Sequence, residues 1–399
     1  MTWALSVRLA LLFCLGIGLA RSSEGARPLP HEAYIWQRQW TGALRDSIAR
    51  SADLVEGWRV LAAQTDRSGR LMWIPVDWEA LAASDRPVTA VIRIEGQVAR
   101  LDTPLLVRES KALIRGLSRD GAVVAGLEID HDCATAHLPA YADFLADLRA
   151  ELPGLPLSIT ALPAWLSSTA LDRLLAQADA AILQVHAVEA PARGLFDPSL
   201  AARWAGEFGR RTEKPFRVAL PAYEVRVTYS ETGALAGVEA ERPLLSGAQE
   251  GDALRARPED VARLIAVLER DPPPTLAGFV WFRLPTAADR RAWTPETWRA
   301  VIRKGDLAPA LSVEHRRTAD PAVQDLVLAN AGSIDAPMPE TIPIPAGCRL
   351  SDGVNEYAQP APVGGRTLVR RRPGTVPARG ERIVGWVNCA RSWSSDDPA

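Results

Sequence analysis

The stretch Gly126–Cys133 reads GLEIDHDC and follows the apolar run Ala122–Ala125. It places acids at alternate positions, Glu128, Asp130 and Asp132. Because alternate residues of a β-strand face the same side, a strand here brings three carboxyl groups together on one face. Carboxylates that close repel one another, so one of them is expected to hold its proton above the ordinary pKa of an aspartate. The stretch therefore predicts acid–base chemistry at the end of a buried strand.

Strand-like segments recur along the chain, and a helical segment or a short helical remnant follows each of them. The eight segments are Glu32–Trp40, Gly57–Gln64, Pro87–Gly96, Ala122–Asp132, Leu157–Leu162, Ala180–Val188, Pro215–Tyr223 and Leu276–Leu284. Alternating units of this number over roughly 270 residues predict an α/β fold, the (β/α)8 TIM barrel. A doubly wound open sheet is the alternative, but no glycine-rich phosphate-binding fingerprint follows the first strand.

The character of the chain changes after the eighth unit, where proline, glycine and short β-like runs dominate. We expect the barrel to span residues 27–305 and a small C-terminal β domain to span residues 306–399. Cys348 and Cys389 lie in this second region and are the natural disulfide couple in an oxidising compartment. Cys133 is then a lone thiol, which is expected to be a small buried hydrophobic side chain.

Residues 1–26 have the pattern of an export signal with a short linker. Arg8 supplies positive charge, and the apolar run Leu9–Leu19 is too short to span a membrane well. Cys14 allows a lipoprotein signal as the alternative, which the bulky Phe13 before it disfavours. We therefore expect a periplasmic or secreted protein with no membrane partner after the signal is removed.

The overall charge balance bears on the class of partner. The formal net charge is −2, which gives no reason to expect nucleic acid as a partner. The composition is that of an ordinary globular protein, with 47% hydrophobic and 24% charged residues. The expected oligomeric state is a monomer.

In (β/α)8 barrels the active site lies at the C-terminal ends of the strands, so the polar residues there are the candidates. Glycoside hydrolysis needs one acid to protonate the leaving oxygen and a second group to stabilise the positively charged sugar. Asp132 is the expected general acid and Asp130 its electrostatic partner. Glu128 lies deeper in the strand. Two roles are equally expected for it: a third catalytic carboxylate, or a structural carboxylate in a buried ion pair with Arg93.

Aromatic and hydrogen-bonding side chains near the other strand ends suit a sugar-binding cleft. The residues expected to line this cleft are Trp36, Trp165, Tyr223 and Trp281. The residues expected to orient sugar hydroxyls are Arg38, Gln184, His186 and Arg283. For His186, contact with a ligand and a structural role are evenly balanced.

The same residues carry a resemblance to chitinase-like (family eighteen) glycoside hydrolases. GLEIDHDC resembles their fourth-strand signature D-G-x-D-x-D-x-E, with Asp130 at the key Asp and Asp132 at the catalytic Glu. Gln184, Tyr223 and Trp281 match the Gln of Gln-Met-x-Tyr, the Tyr of Gly-Leu-Pro-x-Tyr and the Trp of the eighth strand. The acid of this chain is one methylene shorter than the family's Glu, and proton transfer depends on reach.

A second resemblance covers nearly the whole chain after the signal. Six motifs are similar to those of a bacterial family of secreted barrel proteins known only as a domain of unknown function. They are found at Tyr34–Arg38, Asp130–Cys133, Leu157–Trp165, Leu183–His186, Ala219–Tyr223 and Val280–Pro285. The resemblance implies a glycosidase-like barrel and brings no established substrate.

These features favour an exported, cofactor-free, carbohydrate-active protein of the glycoside hydrolase type, acting on a polysaccharide or glycan. The first alternative is a non-catalytic glycan-binding protein on a degenerate hydrolase barrel, which the absence of the catalytic Glu favours. The second is a metal-dependent hydrolase that uses Asp130, Asp132 and His186. It is the weaker of the two, because these residues lack a recognised ligand spacing such as His-Glu-x-x-His. We therefore expect no metal.

Overall fold

A computed structural model describes residues 28–66, 68–96, 101–119, 122–186, 194–229, 235–239, 249–360 and 366–389. The predicted export signal at 1–26 lies outside the described residues. So do residues 187–188, the last two of the predicted sixth strand.

Eight parallel strands form a closed barrel. They are β1 (His31–Ile35), β2 (Gly57–Thr65), β3 (Val88–Ile94), β4 (Val124–His131), β5 (Leu157–Ala161), β6 (Ala180–Gln184), β7 (Phe216–Pro221) and β8 (Leu276–Phe282). Each strand pairs in parallel with the next one in the chain, and β8 pairs with β1, which closes the barrel. The TIM-barrel prediction is confirmed.

A helix follows each barrel strand. The helices are α1 (Gly42–Ser51), α2 (Trp78–Ala82), α3 (Thr103–Arg119), α4 (Leu138–Glu151), α5 (Ala170–Ala176), α6 (Pro198–Gly209), α7 (Pro258–Arg270) and α8 (Pro295–Ile302). The start of α8 shows how the sequence specifies a helix. Thr294 Oγ1 accepts a hydrogen bond from the Thr297 amide at 3.3 Å, and Pro295 occupies the first turn, where an N–H has no helical partner.

Short helices and additional strands lie between the barrel strands and the barrel helices in sequence. Two 3-10 helices lie at Thr135–His137 and Pro163–Trp165, and a short strand, Leu71–Trp73, pairs antiparallel with β2. After β7, the strands Glu224–Tyr229, Leu235–Glu239 and Gln249–Arg255 form an antiparallel sheet of their own. Among the helices in the described part of the chain, none combines the length and apolar character needed to cross a bilayer.

The barrel strands separate two apolar regions, because successive side chains of a strand point to opposite faces. Val280 of β8 packs inside the barrel with Leu61 and Val91. Its neighbour Trp281 packs outside, between the strands and the surrounding helices. This alternation decides which residues near the ends of the strands can face a cleft at the barrel mouth.

The C-terminal region is built of short antiparallel strands. Its main sheet has the order Leu311–Arg317, Val323–Asn330, Gly380–Cys389, Cys348–Gly353. The remaining strands are Ala336–Pro337, Thr341–Pro343, Tyr357–Ala358, Thr367–Arg370 and Thr375–Val376. Cys348 and Cys389 form a disulfide between neighbouring strands of the main sheet, as predicted. The domain boundary at residue 305 stays a prediction.

One carboxylate joins this region to the last barrel helix. Asp335 accepts hydrogen bonds from the amide and the hydroxyl of Thr294, at 2.9 and 2.8 Å. It also accepts one from the Ala378 amide at 2.9 Å, and its own amide donates to Thr297 Oγ1 at 2.8 Å. Asp335 therefore supports the first turn of α8 from outside the barrel.

Candidate active site

The three acids at alternate positions from Glu128 to Asp132 lie along the barrel axis at increasing exposure. Glu128 is fully buried, and Asp130 is 2% exposed. The side chain of Asp132, just after the strand, is 33% exposed. Between them, the His131 ring turns to the outer side, where it contacts Tyr141 and the Ile94 carbonyl oxygen. The acids therefore run from the barrel interior to its mouth.

Glu128 is held in a buried ion pair. The Arg59 guanidinium donates to its carboxylate, and the Tyr34 hydroxyl donates to Glu128 Oε1 at 2.6 Å. Burial raises the pKa of Glu128, and the charge of Arg59 opposes this rise. Arg59 also donates to Glu32 Oε2 at 2.6 Å. The predicted ion pair of Glu128 with Arg93 is wrong: Arg93 lies closer to the barrel mouth, and the partner of Glu128 is Arg59. Glu128 does not line the pocket described below.

Asp130 is oriented by three donors from three other strands. Arg93 Nη1 donates to Oδ2 and Thr160 Oγ1 to Oδ1, both at 2.8 Å. Gln184 Nε2 lies 3.4 Å from the same Oδ1. Because both carboxylate oxygens accept strong hydrogen bonds, the side chain is fixed in one orientation.

Asp132 has the electrostatic properties of an acid that can give up a proton near neutral pH. Burial and the neighbouring charge of Asp130 raise its pKa from 3.8 to about 6. Arg93 Nη2, 3.9 Å from Asp132 Oδ2, and Gln184 Nε2, 3.4 Å from Oδ1, oppose this rise. A pKa close to neutral pH suits general acid catalysis.

Asp130 and Asp132 open into a pocket of about 180 Å³ at the C-terminal end of the barrel. Its lining consists of Tyr34, Trp36, Arg93, Asp130, Asp132, Thr160, Gln184, His186, Ala219, Tyr223 and Phe282. The structure thus brings together six of the residues expected at the site: Trp36, Asp130, Asp132, Gln184, His186 and Tyr223. The volume is below the range of roughly 300–1,000 Å³ typical of drug-sized ligands.

One wall of this pocket is aromatic. Phe282 lies at its centre, with ring centroids 5.3 Å from Trp36 and 5.5 Å from Tyr223. The His186 ring stacks on Phe282 at 5.7 Å, and its Nδ1 is 3.1 Å from the Tyr223 hydroxyl. Burial lowers the pKa of His186 to about 4, so the imidazole is neutral.

Two of the expected aromatic residues lie elsewhere. Trp165 and Trp281 are almost fully buried, and neither lines the pocket. Trp165 Nε1 donates to the Cys133 carbonyl oxygen, and Trp281 Nε1 donates to His31 Nδ1. The prediction that they line a sugar site is wrong. Trp281 lies on the outer face of β8, so Phe282 takes the inward place.

The two expected arginines are also absent from the lining of the pocket. Arg38 lies beyond the end of β1 and donates through Nε to Gln64 Oε1 at 3.0 Å. Arg283 follows Phe282, and its Nη2 donates to Asp289 Oδ1 at 2.7 Å. The expected contacts of Arg38 and Arg283 with sugar hydroxyls therefore have no support in the geometry. Arg93 contacts the two carboxylates that line the pocket, Asp130 and Asp132.

The matching family model supplies the identity of the barrel. The model described as Domain of unknown function (DUF3142) matches residues 84–287, just over half of the chain. The chain belongs to this family. A second model, Domain of unknown function (DUF8456), matches residues 313–390. A comparison with curated protein sequences finds no match.

Solved structures similar to this DUF3142 protein include two spore cortex-lytic enzymes. SleL of Bacillus cereus has a TM-score of 0.52 at 11% identity, covering 70% of this chain and 75% of that chain. SleL of Bacillus megaterium QM B1551 has a TM-score of 0.51 at 13% identity, covering 71% and 76%. A chitinase from Chromobacterium violaceum ATCC 12472 has a TM-score of 0.47 at 12% identity, covering 69% and 98%. At such identities the likeness to SleL shows the shared fold alone, the (β/α)8 barrel.

Among the aromatic residues that line the pocket of this DUF3142 barrel, sequence reasoning did not include two, Tyr34 and Phe282. Tyr34 could have been found from strand alternation, because it is two residues before Trp36, whereas Phe282 follows from the inward position of Val280, which only the structure shows. For metal chemistry, the described ranges contain no group of three or more His, Cys, Asp or Glu side chains arranged to hold an ion.

Proposed function

We propose that this DUF3142 protein is an exported glycoside hydrolase that cleaves a polysaccharide or glycan, with Asp132 as its general acid. The observation that carries the proposal is the state of Asp132. Its pKa is raised to about 6, and it lies at the mouth of an aromatic-walled pocket above a fixed second carboxylate. The export signal expected at residues 1–26 supports a periplasmic or secreted location.

The two carboxylates would divide the chemistry. Protonated Asp132 would donate its proton to the leaving glycosidic oxygen as the bond to the sugar carbon breaks, and a water molecule would then add to that carbon and return a proton to Asp132. Asp130 would stabilise the positive charge that develops on the sugar ring. Its hydrogen bonds from Arg93 and Thr160 support this role, because they fix the carboxylate before the reaction begins.

The pocket walls suit a single sugar unit. Trp36, Tyr223 and Phe282 offer apolar ring faces, which pack against the C–H faces of sugars. Gln184 and His186 offer hydrogen-bonding groups beside them. A volume of about 180 Å³ favours one ring in the pocket, with the rest of the chain outside it. Two solved structures with this fold are named spore cortex-lytic enzymes, which supports a cell-envelope polysaccharide among the substrates to be tested.

Asp132→Asn tests the proposal. The amide keeps the shape of the side chain and cannot donate a proton as an acid, so release of reducing ends should fall by at least about 100-fold while glycan binding persists. Asp147→Asn, on the exposed side of α4, is the matched control and should keep full activity. Unchanged turnover in Asp132→Asn would refute the assignment.

A non-catalytic glycan-binding protein is the second candidate. The observation that favours it is the length of Asp132, one methylene shorter than the Glu of the chitinase-like signature. Under this alternative the wild type binds oligosaccharides and releases no product from any of them. Asp132→Glu then discriminates, because a gain of turnover in that variant would identify a hydrolase barrel that has lost its acid.

A further inference from the structure

His186 lines the pocket with one ring nitrogen unused. Its Nδ1 is 3.1 Å from the Tyr223 hydroxyl, whereas its buried Nε2 has no hydrogen-bond partner among the described residues. The residue is 8% exposed. Leaving a buried polar atom unsatisfied costs about 1–3 kcal/mol, so a polar atom of a pocket-lining residue that has no partner among the described residues calls for a partner from a bound ligand.

Tyr223 determines which nitrogen of the His186 ring carries the proton. The Tyr223 hydroxyl keeps its proton, because burial and the charge of Asp132 raise its pKa. His186 Nδ1 lies 3.1 Å from that hydroxyl, and which of the two donates depends on the tautomer of the ring. In a neutral imidazole one nitrogen accepts and the other carries the hydrogen. When Nδ1 accepts from Tyr223, the hydrogen of the ring is on Nε2.

The ring is also held in place and kept neutral. It stacks on Phe282 at a centroid distance of 5.7 Å and meets the edge of Tyr223 at 5.6 Å. The charged groups that share the pocket are Asp130, Asp132 and Arg93. Burial lowers the pKa of His186 to about 4. The imidazole is therefore a fixed, uncharged hydrogen-bond donor at the pH at which Asp132 titrates.

We infer that the Nε2–H of His186 donates a hydrogen bond to an oxygen of the bound sugar, and that Tyr223 is the positioning residue that fixes this tautomer. The inference rests on the proposed function for the class of ligand, an uncharged sugar with a hydroxyl or carbonyl oxygen at this position. It makes His186 a determinant of specificity, because a sugar without that oxygen leaves the donor unpaired.

The tautomer can be measured without any substrate. In the full chain labelled with ¹⁵N-histidine, we expect the His186 Nε2 resonance at the position of a protonated nitrogen and Nδ1 at that of an unprotonated one, from pH 5 to 8. His186→Gln assigns the signals. Tyr223→Phe should give a mixture of both tautomers. A protonated Nδ1 in the wild type, or an unchanged ratio in Tyr223→Phe, would overturn the inference.

Binding provides the second measurement. Soluble fragments of cellulose, xylan, chitin and peptidoglycan are titrated into the labelled protein, and at least one should shift the Nε2 resonance. For that fragment, His186→Phe keeps the ring stacked on Phe282 but removes the donor, and should lower affinity about 10-fold. His186→Gln, which restores an N–H donor, should recover part of it. An Nε2 resonance that no fragment shifts would refute the inference, whereas a shift without hydrolysis would refute only the proposed catalysis.

Discussion

Arg93 lies between the acids of the pocket and controls their charge. Its Nη1 is 2.8 Å from Asp130 Oδ2, its Nη2 is 3.9 Å from Asp132 Oδ2, and its Nε is 3.4 Å from Glu95 Oε1. The guanidinium carbon also lies 5.8 Å from the centre of the Trp36 ring. We predict that Arg93→Met, which removes the charge and keeps much of the side-chain length, raises the pKa of Asp132 above its value of about 6.

The size of the change follows from the distance between the charges. Two unit charges 3.9 Å apart interact by about 1 kcal/mol in bulk water and about 4 kcal/mol at an effective dielectric constant of 20. Arg93 is 27% exposed and shares its charge with Asp130, so the lower part of this range applies. About 1 kcal/mol corresponds to slightly less than one pKa unit. The pKa of Asp132 should therefore rise to about 7.

Carboxyl ¹³C resonances of protein labelled with ¹³C-aspartate measure this pKa directly, and Asp132→Asn identifies the signal. Arg93→Lys, which keeps a positive charge, should shift the midpoint less than Arg93→Met does. Glu95→Gln should shift it in the opposite direction, because the charge of Glu95 raises the pKa of Asp132. A midpoint that stays at about 6 or falls in Arg93→Met would refute the electrostatic account.

Three further predictions concern stability. The pKa of Asp132 is 3.8 in the unfolded chain and about 6 in the folded one, so the folded state is favoured by protonated Asp132 below pH 4 and loses that stability as the pH rises through 6. Asp132→Asn removes this loss and should therefore raise the free energy of unfolding by about 1–2 kcal/mol at pH 7. At pH 4 the free energies of unfolding of the variant and the wild type, measured by urea titration, should be equal. Trp281→Phe, which leaves a space among the outer helices and removes the donor to His31, should lower the free energy of unfolding by about 2 kcal/mol while oligosaccharide affinity stays within twofold of the wild type. Cys389→Ser opens a loop with a sequence separation of 41 and should cost up to about 4 kcal/mol, a difference that should vanish when both proteins are unfolded in reductant.

The barrel could be predicted from the sequence because each of its strands carries a local signal. The eight segments alternate with helical ones, and each overlaps an observed strand. The helix start at Thr294 was readable from its cap and the proline that follows. Strand ends differ by a few residues, as for the first segment, Glu32–Trp40, whose observed strand ends at Ile35. Hydrogen bonding, rather than side-chain pattern, sets those ends.

The inward-facing residues of the site could be predicted in strands where polar and apolar side chains alternate. They could not be predicted in strands that are apolar on both faces. In β4 the alternation of acids with Leu127 and Ile129 marks the inner face plainly. In β8 the run LAGFVWF is apolar throughout, so no local signal tells Trp281 from Phe282. Arg59 was not found because it lies mid-strand between buried apolar neighbours, where a charge is expected only with a partner from another strand.

The hydrogen bonds of Asp335 have a consequence for the seam of the barrel, the place where β8 meets β1. The helix that covers this seam, α8, begins at residues whose amide and hydroxyl groups are satisfied by Asp335. The Asp335 carboxylate, which lies in the sequence well after the last barrel helix, thus stabilises the helix that covers the point of barrel closure. Truncating the chain after residue 305 would remove the hydrogen bonds of Asp335 to α8, although every barrel strand and helix would remain. The barrel and the C-terminal sheets are therefore expected to melt together, as one cooperative unit.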